Sequence, residues 1–230
     1  MEEKKQKKVL GIMGSPRRGG NVDRLLEQAL AGARSGGASI KKIYLTDQRI
    51  TPCNGCMACR NTGQCVIRDD MDRIYPLLFE YDAFVFASPM YHQNMSCYFK
   101  TFIDRIHGVI VEYERGPGRA RLPVRRFPRG KRAMLVSSMN ASFPKAGKYL
   151  RNFSQGFQSF TEYAGIELIG LTVTRNTWIK RPASFDKERA QAFGMGRTLV
   201  TRETSRFRQK RYALKDSVEG LANWIINIID

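Results

Sequence analysis

The chain passes from a short apolar run into a glycine-rich loop over residues 9–21, with the sequence VLGIM-GSPRRGGN. The run Val9–Met13 predicts a buried strand. Asn21 is a candidate N-cap for the helix that follows, and Gly36 with Gly37 is a candidate stop. The apolar residues of that helix recur at helical spacing: Leu25, Leu26, Ala29, Leu30 and Ala33. A strand, a glycine-rich loop and an amphipathic helix in this order are typical of the βα units that build parallel sheets.

The same alternation continues along the rest of the chain. Strands are predicted at Ser39–Leu45, Ala83–Ala87, Ala133–Val136 and Ile166–Val173. Helices are predicted at Asp70–Glu80, Ser96–His107, Gly147–Tyr163, Asp186–Thr201 and Leu214–Ile229. Pro76 is expected to kink the first of these helices or to delay its start. This rhythm predicts an α/β fold, a flavodoxin-like doubly wound parallel sheet of five strands in the order 2-1-3-4-5 with an extra C-terminal helix.

Length and composition indicate how the domains are organised and in which compartment the protein is expected. The 230 residues are 42% hydrophobic, which is enough to build a sizeable core. We predict one domain at residues 1–205, with a cysteine-bearing loop at 49–66 and a basic arm at 112–132, followed by a C-terminal helical extension at 206–230. No run of 18 apolar residues occurs, so no membrane association is expected. The first residues lack a secretory pattern, so we expect a cytoplasmic protein whose thiols stay reduced.

The glycine-rich loop is a candidate anion site. Ligands of doubly wound sheets bind at the carboxyl ends of the strands, which selects three loops: 14–22, 88–96 and 137–144. In the first loop, backbone N–H groups and the helix dipole favour an anion. Ser15 and Asn21 can add hydrogen bonds, and Arg17 or Arg18 can add positive charge. The loop matches neither a Walker motif nor the G-x-G-x-x-G spacing, so a plain connecting turn stays an alternative.

Four cysteines lie within 13 residues: Cys53, Cys56, Cys59 and Cys65. The spacing C-x2-C-x2-C is the one by which bacterial ferredoxin loops bind a cubane iron–sulfur cluster, and a fourth Cys can close such a site. Zinc sites more often use two separated C-x2-C pairs, or Cys with His. Free thiols and a redox disulfide stay open as alternatives. Cys97 stands apart on a predicted helix, where a packed thiol is expected.

Three motifs together resemble the NADPH-dependent FMN reductase family, which is flavodoxin-like. The loop Gly14–Asn21 resembles the family's GSPR-x-x-GN-T phosphate loop, with Val22 where a hydroxyl residue is usual. Ser88–Ser96 and Lys100–Arg105 together resemble its SP-x-Y…S…K-x-FIDR signature. The cysteine motif, with the flanking residues Pro52–Met71, is similar to that of the iron–sulfur flavoprotein branch of this family.

The resemblance implies cofactors and the residues that bind them. FMN would contact Ser15, Arg17, Gly20, Asn21 and Val22 at its phosphate, Pro89, Met90, Tyr91, His92 and Asn94 beside its ring and ribityl chain, and Ser138 and Asn140 at its pyrimidine edge. A [4Fe–4S] cluster near the FMN would be held by Cys53, Cys56, Cys59 and Cys65. NADH or NADPH would be a substrate, and a homodimer or tetramer is implied. No catalytic side chain is predicted, because the cofactors supply the chemistry.

The net charge of +18 is concentrated in two basic runs. One run comprises Arg115, Arg119, Arg121, Arg125, Arg126, Arg129, Lys131 and Arg132. The other comprises Arg197, Arg202, Arg206, Arg208, Lys210 and Arg211. Such runs suit the phosphates of NADPH, an acidic redox protein of the ferredoxin type, or nucleic acid. The chain shows no recognisable nucleic-acid-binding motif, so nucleic acid is the least favoured of the three.

These observations predict an enzyme, a flavin-dependent oxidoreductase. It would move electrons between a nicotinamide or ferredoxin-type donor and an acceptor, through FMN and a cysteine-ligated [4Fe–4S] cluster. The first alternative is a cluster-free NAD(P)H-dependent FMN or quinone reductase. The second alternative, from another class, is a zinc-bearing nucleic-acid-binding module.

Overall fold

The order of strands and helices follows the alternation of apolar runs in the sequence. The computed structural model describes residues 5–115, 121–125, 127–141, 145–178 and 184–201. The strands are β1 (Lys8–Met13), β2 (Ser39–Tyr44), β3 (Ala83–Ala87), β4 (Val111–Arg115), β5 (Arg121–Arg125), β6 (Arg132–Ser138) and β7 (Glu167–Thr174). The α-helices are α1 (Asn21–Ser35), α2 (Ala58–Thr62), α3 (Met71–Glu80), α4 (Cys97–Ile110), α5 (Lys145–Ala164) and α6 (Asp186–Thr201).

The central sheet is parallel and has the strand order β2-β1-β3-β6-β7. This arrangement confirms the predicted doubly wound sheet, because these are the five predicted strands in the order 2-1-3-4-5. Strand β1 lies in the middle, with Val9 opposite Ile40 of β2 on one side and Ala83 of β3 on the other. The topological switch point therefore lies between β1 and β3, where doubly wound sheets bind their ligands.

Side chains alternate between two hydrophobic cores, one on each face of the sheet. Leu10 and Phe86 point into the core formed with α3, α4 and α5. Val9 and Val85 point into the opposite core, formed with α1 and α6. Burial on both faces explains why the strands appear in the sequence as continuous apolar runs instead of alternating ones. No helix in the described part of the chain has the length and apolarity that a membrane crossing requires.

Two glycines let α1 and α6 pack in close contact. A Cβ atom added at Gly32 of α1 would lie 1.9 Å from the carbonyl oxygen of Phe193. A Cβ atom added at Gly196 of α6 would lie 1.9 Å from the carbonyl oxygen of Ala29. Each helix thus places a glycine against the backbone of the other, and no larger residue fits the crossing.

The basic arm contains regular structure that the sequence analysis did not predict. Strands β4 and β5 form an antiparallel two-stranded ribbon, with Val111 opposite Arg125 and Arg115 opposite Arg121. The ribbon pairs with itself and forms a sheet separate from the central one. The ribbon is inserted between α4 and β6, so it does not change the register of the parallel strands in the central sheet. The predicted helix Leu214–Ile229 and the extension 206–230 lie outside the described residues.

Two other local predictions differ from the structure. Helix α3 starts at Met71 and continues through Pro76 to Glu80, so the proline does not delay its start. The cysteine-bearing loop, predicted without regular structure, contains the short helix α2. Both differences are local and leave the order of the elements unchanged.

Candidate functional site

The glycine-rich loop is fixed at the carboxyl end of β1 by buried hydrogen bonds. The Gly14 amide donates to the Ala87 carbonyl at 2.7 Å, which joins the ends of β1 and β3. The buried Ser96 hydroxyl donates to the Gly14 carbonyl at 2.6 Å. Ser15 is buried, and its Oγ accepts from the Arg17 amide at 3.2 Å. The loop that the sequence selected is therefore held rigidly at the switch point.

Helix α1 begins directly beneath this loop. Gly20, and not the predicted Asn21, is its N-cap, with an extended backbone (φ −72°, ψ 176°). Asn21 is instead the first helical residue. The first-turn amides of an α-helix have no acceptor within the helix, so those of Asn21 and Val22 are available to an anion. The sequence correctly indicated a helix start here, but the cap lies one residue earlier, at a glycine, which is among the residues preferred at N-caps.

The two arginines of the loop have different surroundings. Arg18 is paired with Asp47, with an N–O distance of 2.6 Å, and its guanidinium lies 4.1 Å from the centre of the Tyr44 ring. Hydrogen bonding to Asp47 raises the pKa of Arg18 above its usual value. Arg17 is exposed beside Ser15. Arg18 thus stabilises the loop through its pairing with Asp47, and Arg17 is the exposed positive charge of the loop.

A nearly buried carboxylate lies under the same loop. Asp23 Oδ2 accepts from the Gly19 amide at 2.6 Å, and Oδ1 contacts the Lys42 ammonium at 2.5 Å. Lys42 is also paired with Glu27. Burial on its own would lower the pKa of Lys42, but hydrogen bonds to Asp23 and Glu27 outweigh it and raise the pKa well above the usual value. Lys42 therefore stays protonated and neutralises Asp23, a pair that the sequence analysis did not single out.

The second predicted loop makes a tight turn at the carboxyl end of β3. Tyr91 and Asn94 exchange two backbone hydrogen bonds of 2.9 Å. The residues between them, His92 and Gln93, both have left-handed backbones, with φ of 47° and 63°. Both central residues of a type I′ turn have positive φ, and side chains other than Gly and Asn are strained there. The turn leaves Tyr91 45% exposed at the rim of the site.

The third predicted loop is hydrogen-bonded to the second. The Met90 amide donates to the Ser138 carbonyl at 3.1 Å. Asn140 Oδ1 accepts from the Trp178 amide at 3.1 Å, which adds the segment after β7 to the site. Trp178 is 87% exposed, and the sequence analysis missed it. Its position just after the fifth strand was the signal that could have identified it, since the carboxyl ends of all strands meet at one edge.

Two buried hydroxyls at this edge have no hydrogen-bond partner among the described residues. They are Ser137 Oγ at the end of β6 and Thr174 Oγ1 at the end of β7. Buried polar groups in proteins are nearly always paired. The edge therefore offers unused polar groups next to the loops that contain Ser138 and Asn140.

The cysteine loop follows β2 and lies against α4. Its chain reverses through left-handed residues at Gly55, Met57 and Gly63, on either side of α2. A Cβ atom added at Gly108 of α4 would lie 2.0 Å from the Sγ atom of Cys59. The glycine thus permits Cys59 to contact the helix directly. Cys53 and Cys56 are exposed, whereas Cys59 and Cys65 are half-buried.

The four thiols lie in one neighbourhood. Burial raises the pKa of the Cys59 thiol, and the thiols of Cys65, Cys53 and Cys56 raise it further. Even so, within the described residues no three His, Cys, Asp or Glu side chains are grouped closely enough to hold a metal ion. The thiols therefore lie close enough to influence one another without being gathered around one point. Cys97 is exposed on α4, so the predicted packed thiol is not observed there.

A doubly wound parallel sheet with the strand order 2-1-3-4-5 and a glycine-rich loop at its switch point defines a flavodoxin-like fold. The chain belongs to the NADPH-dependent FMN reductase family, whose pattern matches residues 7–142. It is 42% identical over 99 residues to an iron–sulfur flavoprotein of Archaeoglobus fulgidus, covering 43% of this chain and 45% of the relative. It is 37% identical over 98 residues to an iron–sulfur flavoprotein of Methanosarcina thermophila, covering 43% and 51%. The match thus spans about half the length of these relatives.

Solved structures show the same fold. An FMN-dependent NADH-azoreductase from Bacillus anthracis, in complex with FMN, superposes with a TM-score of 0.64 at 14% identity, over 84% of this chain and 100% of that one. An NAD(P)H:quinone oxidoreductase from Methanothermobacter marburgensis superposes with a TM-score of 0.66 at 14% identity, over 84% and 99%. At these identities the likeness establishes the fold alone.

Proposed function

We propose that the protein is an FMN-dependent oxidoreductase in which FMN binds at the carboxyl edge of the sheet and Cys53, Cys56, Cys59 and Cys65 hold a [4Fe–4S] cluster. The observation that carries the proposal is that the three predicted loops meet at the carboxyl edge of the sheet. The loop at 14–22 leads into α1, and the loops after β3 and β6 are hydrogen-bonded to each other. Membership of the FMN reductase family supports it. Two relatives that are named iron–sulfur flavoproteins support the cluster.

The loop at 14–22 binds the FMN phosphate in this proposal. The amides of Asn21 and Val22 donate to the phosphate oxygens, and the dipole of α1 favours the negative charge. Val22 lacks the hydroxyl that is usual in the family, so its contribution comes from the backbone alone. Arg17, together with Ser15 and Gly20, completes the cradle, since Arg18 is already paired with Asp47.

The loops at 88–96 and 137–144 receive the flavin ring, and residues 142–144 lie outside the described part of the second. Pro89, Met90 and Tyr91 provide apolar and aromatic walls, which suit a flat heterocycle. His92 and Asn94 lie at the same turn, and Ser138 and Asn140 lie at the pyrimidine side. The unpaired hydroxyls of Ser137 and Thr174 fit a ligand with polar edge atoms at this position. When bound, FMN supplies both one-electron and two-electron chemistry.

The donor set of the cysteine loop fits an iron–sulfur cluster. It has four thiolate donors at ferredoxin-like spacing, in a loop whose left-handed residues allow the chain to curl around a ligand. Cys59 and Cys65 are half-buried, so two of the four donors are already partly removed from water. When bound, such a cluster supplies single-electron transfer.

The proposed donor and acceptor of electrons rest on the family and on the net charge. NADH or NADPH is the proposed two-electron donor, because the family is named for NADPH. An acidic redox protein of the ferredoxin type is the proposed one-electron partner, because the chain carries a net charge of +18. A homodimer or tetramer is the proposed assembly.

One observation favours a second candidate, a cluster-free NAD(P)H-dependent FMN or quinone reductase. The four thiols are not gathered into a metal-binding group among the described residues. In that case the cysteine loop would be structural, and electrons would pass from the nicotinamide to FMN and on to a small acceptor.

Anaerobic purification followed by visible spectroscopy and iron and sulfide analysis tests the proposal. We expect flavin bands, a broad absorption that overlaps them, and about four iron atoms per FMN. Cys59→Ala should lose the iron and keep the flavin, whereas the matched control Cys97→Ala should keep both. FMN without iron in the parent protein would establish the cluster-free reductase. A colourless protein with stoichiometric zinc would reject both readings in favour of the zinc-bearing module.

A further inference from the structure

Arg105 joins the two ends of the cysteine loop. Its side chain is fully buried in α4. Its Nη1 atom donates to the Thr51 carbonyl at 2.6 Å, and its Nη2 atom donates to the Ile67 carbonyl at 3.2 Å. Thr51 lies two residues before Cys53, and Ile67 lies two residues after Cys65. One guanidinium thus fixes the separation between the points where the chain enters and leaves the cysteine segment.

Asp69 fixes the orientation of that guanidinium. Its Oδ2 accepts from Arg105 Nη1 at 2.6 Å and its Oδ1 from Nη2 at 3.2 Å, so the contact is bidentate. The same carboxylate accepts from the amides of Thr51 at 2.8 Å and Met71 at 3.0 Å. The side chain of Asp69 is only 7% exposed. Because a buried charge without its partner is strongly unfavourable, each group holds the other in place.

The charge of the Arg105 guanidinium is stabilised by its surroundings. Burial on its own would lower the pKa of Arg105, but the hydrogen bond to Asp69 and interactions with Tyr75 and Cys65 raise it. Arg105 therefore stays protonated and keeps its pairing with Asp69.

We propose that Arg105 and Asp69 form a clasp that fixes the two ends of the cysteine loop before any cluster is present. Arg105 and Asp69 are positioning residues in this proposal. The clasp itself depends on protein contacts alone, whereas its use in presenting the cysteines to a cluster rests on the function proposed above.

Thiol alkylation of the FMN-loaded, metal-free protein tests the clasp. The protein is treated with iodoacetamide, and the rate at each cysteine is measured by mass spectrometry. Breaking the clasp should raise the rates at the half-buried Cys59 and Cys65 at least about tenfold, because the loop then opens more often. The rates at the exposed Cys53, Cys56 and Cys97 should stay unchanged. A general loss of structure would not produce this selective increase in the alkylation rates of Cys59 and Cys65.

Three variants are compared with one matched control. Arg105→Gln removes the charge, Asp69→Asn removes its partner, and Arg105→Lys keeps a positive charge without the fork and should show the smallest increase. The control Asp104→Asn breaks the exposed pair with Lys100, one residue away on the same helix, and should react like the parent. FMN binding, measured by quenching of flavin fluorescence, reports that each variant is folded.

The outcomes separate the two proposals. Parent-like alkylation of Cys59 and Cys65 in a folded clasp variant overturns the clasp, whether or not the protein holds iron. A selective increase at Cys59 and Cys65 in the clasp variants, together with a parent protein that never takes up iron, supports the clasp and rejects the proposed cluster. If the variants fail to fold, hydrogen exchange of the parent decides, since the Thr51 and Met71 amides must then be protected and exchange together with the loop.

Discussion

Lys42 is a counter-ion for the nearly buried Asp23 below the glycine-rich loop. If FMN binds as proposed, the Asp23 charge in Lys42→Met would face its phosphate uncompensated. We expect the Kd for FMN to rise about tenfold from this repulsion. The Kd for riboflavin, which has no phosphate, should stay unchanged, and both are measurable by quenching of flavin fluorescence.

The neighbouring residue gives the matched control for that prediction. Lys41 is exposed on the same strand, so Lys41→Met removes a charge of the same sign without uncovering Asp23. It should leave both affinities close to those of the parent. Equal losses of FMN and riboflavin affinity in Lys42→Met would show instead that the variant damages the site as a whole.

Asp69 makes stability depend on pH in the acid range. Burial on its own would raise its pKa, but hydrogen bonds from Arg105, Thr51 and Met71 outweigh it and lower the pKa. A carboxyl with a lowered folded-state pKa stabilises the protein fully above its unfolded value of about 3.9. That contribution is lost as the pH falls through the lower folded-state value.

The pH dependence is measured by urea unfolding between about pH 2 and pH 6. The parent should lose more unfolding free energy than Asp69→Asn as the pH falls below about 4. Above that value the difference between the two proteins should stay constant. Parallel curves throughout would contradict the assignment of a lowered pKa to Asp69.

The ion pairs between residues far apart in the chain could not be predicted from the sequence. Arg105 and Asp69 are 36 residues apart, and the sequence shows Arg105 only as one charge of the Lys100–Arg105 signature. The Asp23–Lys42 pair likewise joins a helix to a strand. Local patterns, by contrast, identified the loops themselves, because a strand end followed by glycines or a helix start is visible within a few residues.

The close packing of helix α1 against helix α6 depends on glycine. Gly196→Ala would place a methyl group against the Ala29 carbonyl, and the helices would have to separate. We expect a loss of about 1–3 kcal/mol in the free energy of unfolding, measured with urea. Gly194, two residues earlier on α6, has open space around it. Gly194→Ala should therefore stabilise the protein, by up to about 1 kcal/mol.

Elements with apolar runs or stripes were predicted closely. Helix α6 has the predicted bounds Asp186–Thr201, and strand β1 starts one residue earlier than predicted. The ribbon β4–β5 was missed because β5 begins and ends with arginine and contains Pro123, which disfavours strands. Its register comes from pairing between its own two strands, a contact that no single run of residues displays.

The charge of the whole molecule should influence the encounter with anionic substrates. A net charge of +18 should attract an anionic substrate such as the proposed NAD(P)H, and salt should screen this attraction. We expect the kcat/KM for NAD(P)H to fall several-fold between about 0.05 and 0.5 M salt, with kcat nearly constant. The reaction with an uncharged quinone is the control and should be insensitive to salt. An equal salt effect on both substrates would point to a change in the protein itself.

The separate pairing of the ribbon β4–β5 has an evolutionary consequence. Because its strands pair only with each other within the described chain, its length and charge can change without shifting the register of the central sheet. Selection on the tip of this insertion is thus separated from selection on the parallel strands. A lineage could acquire a new recognition surface there while the central sheet stays the same.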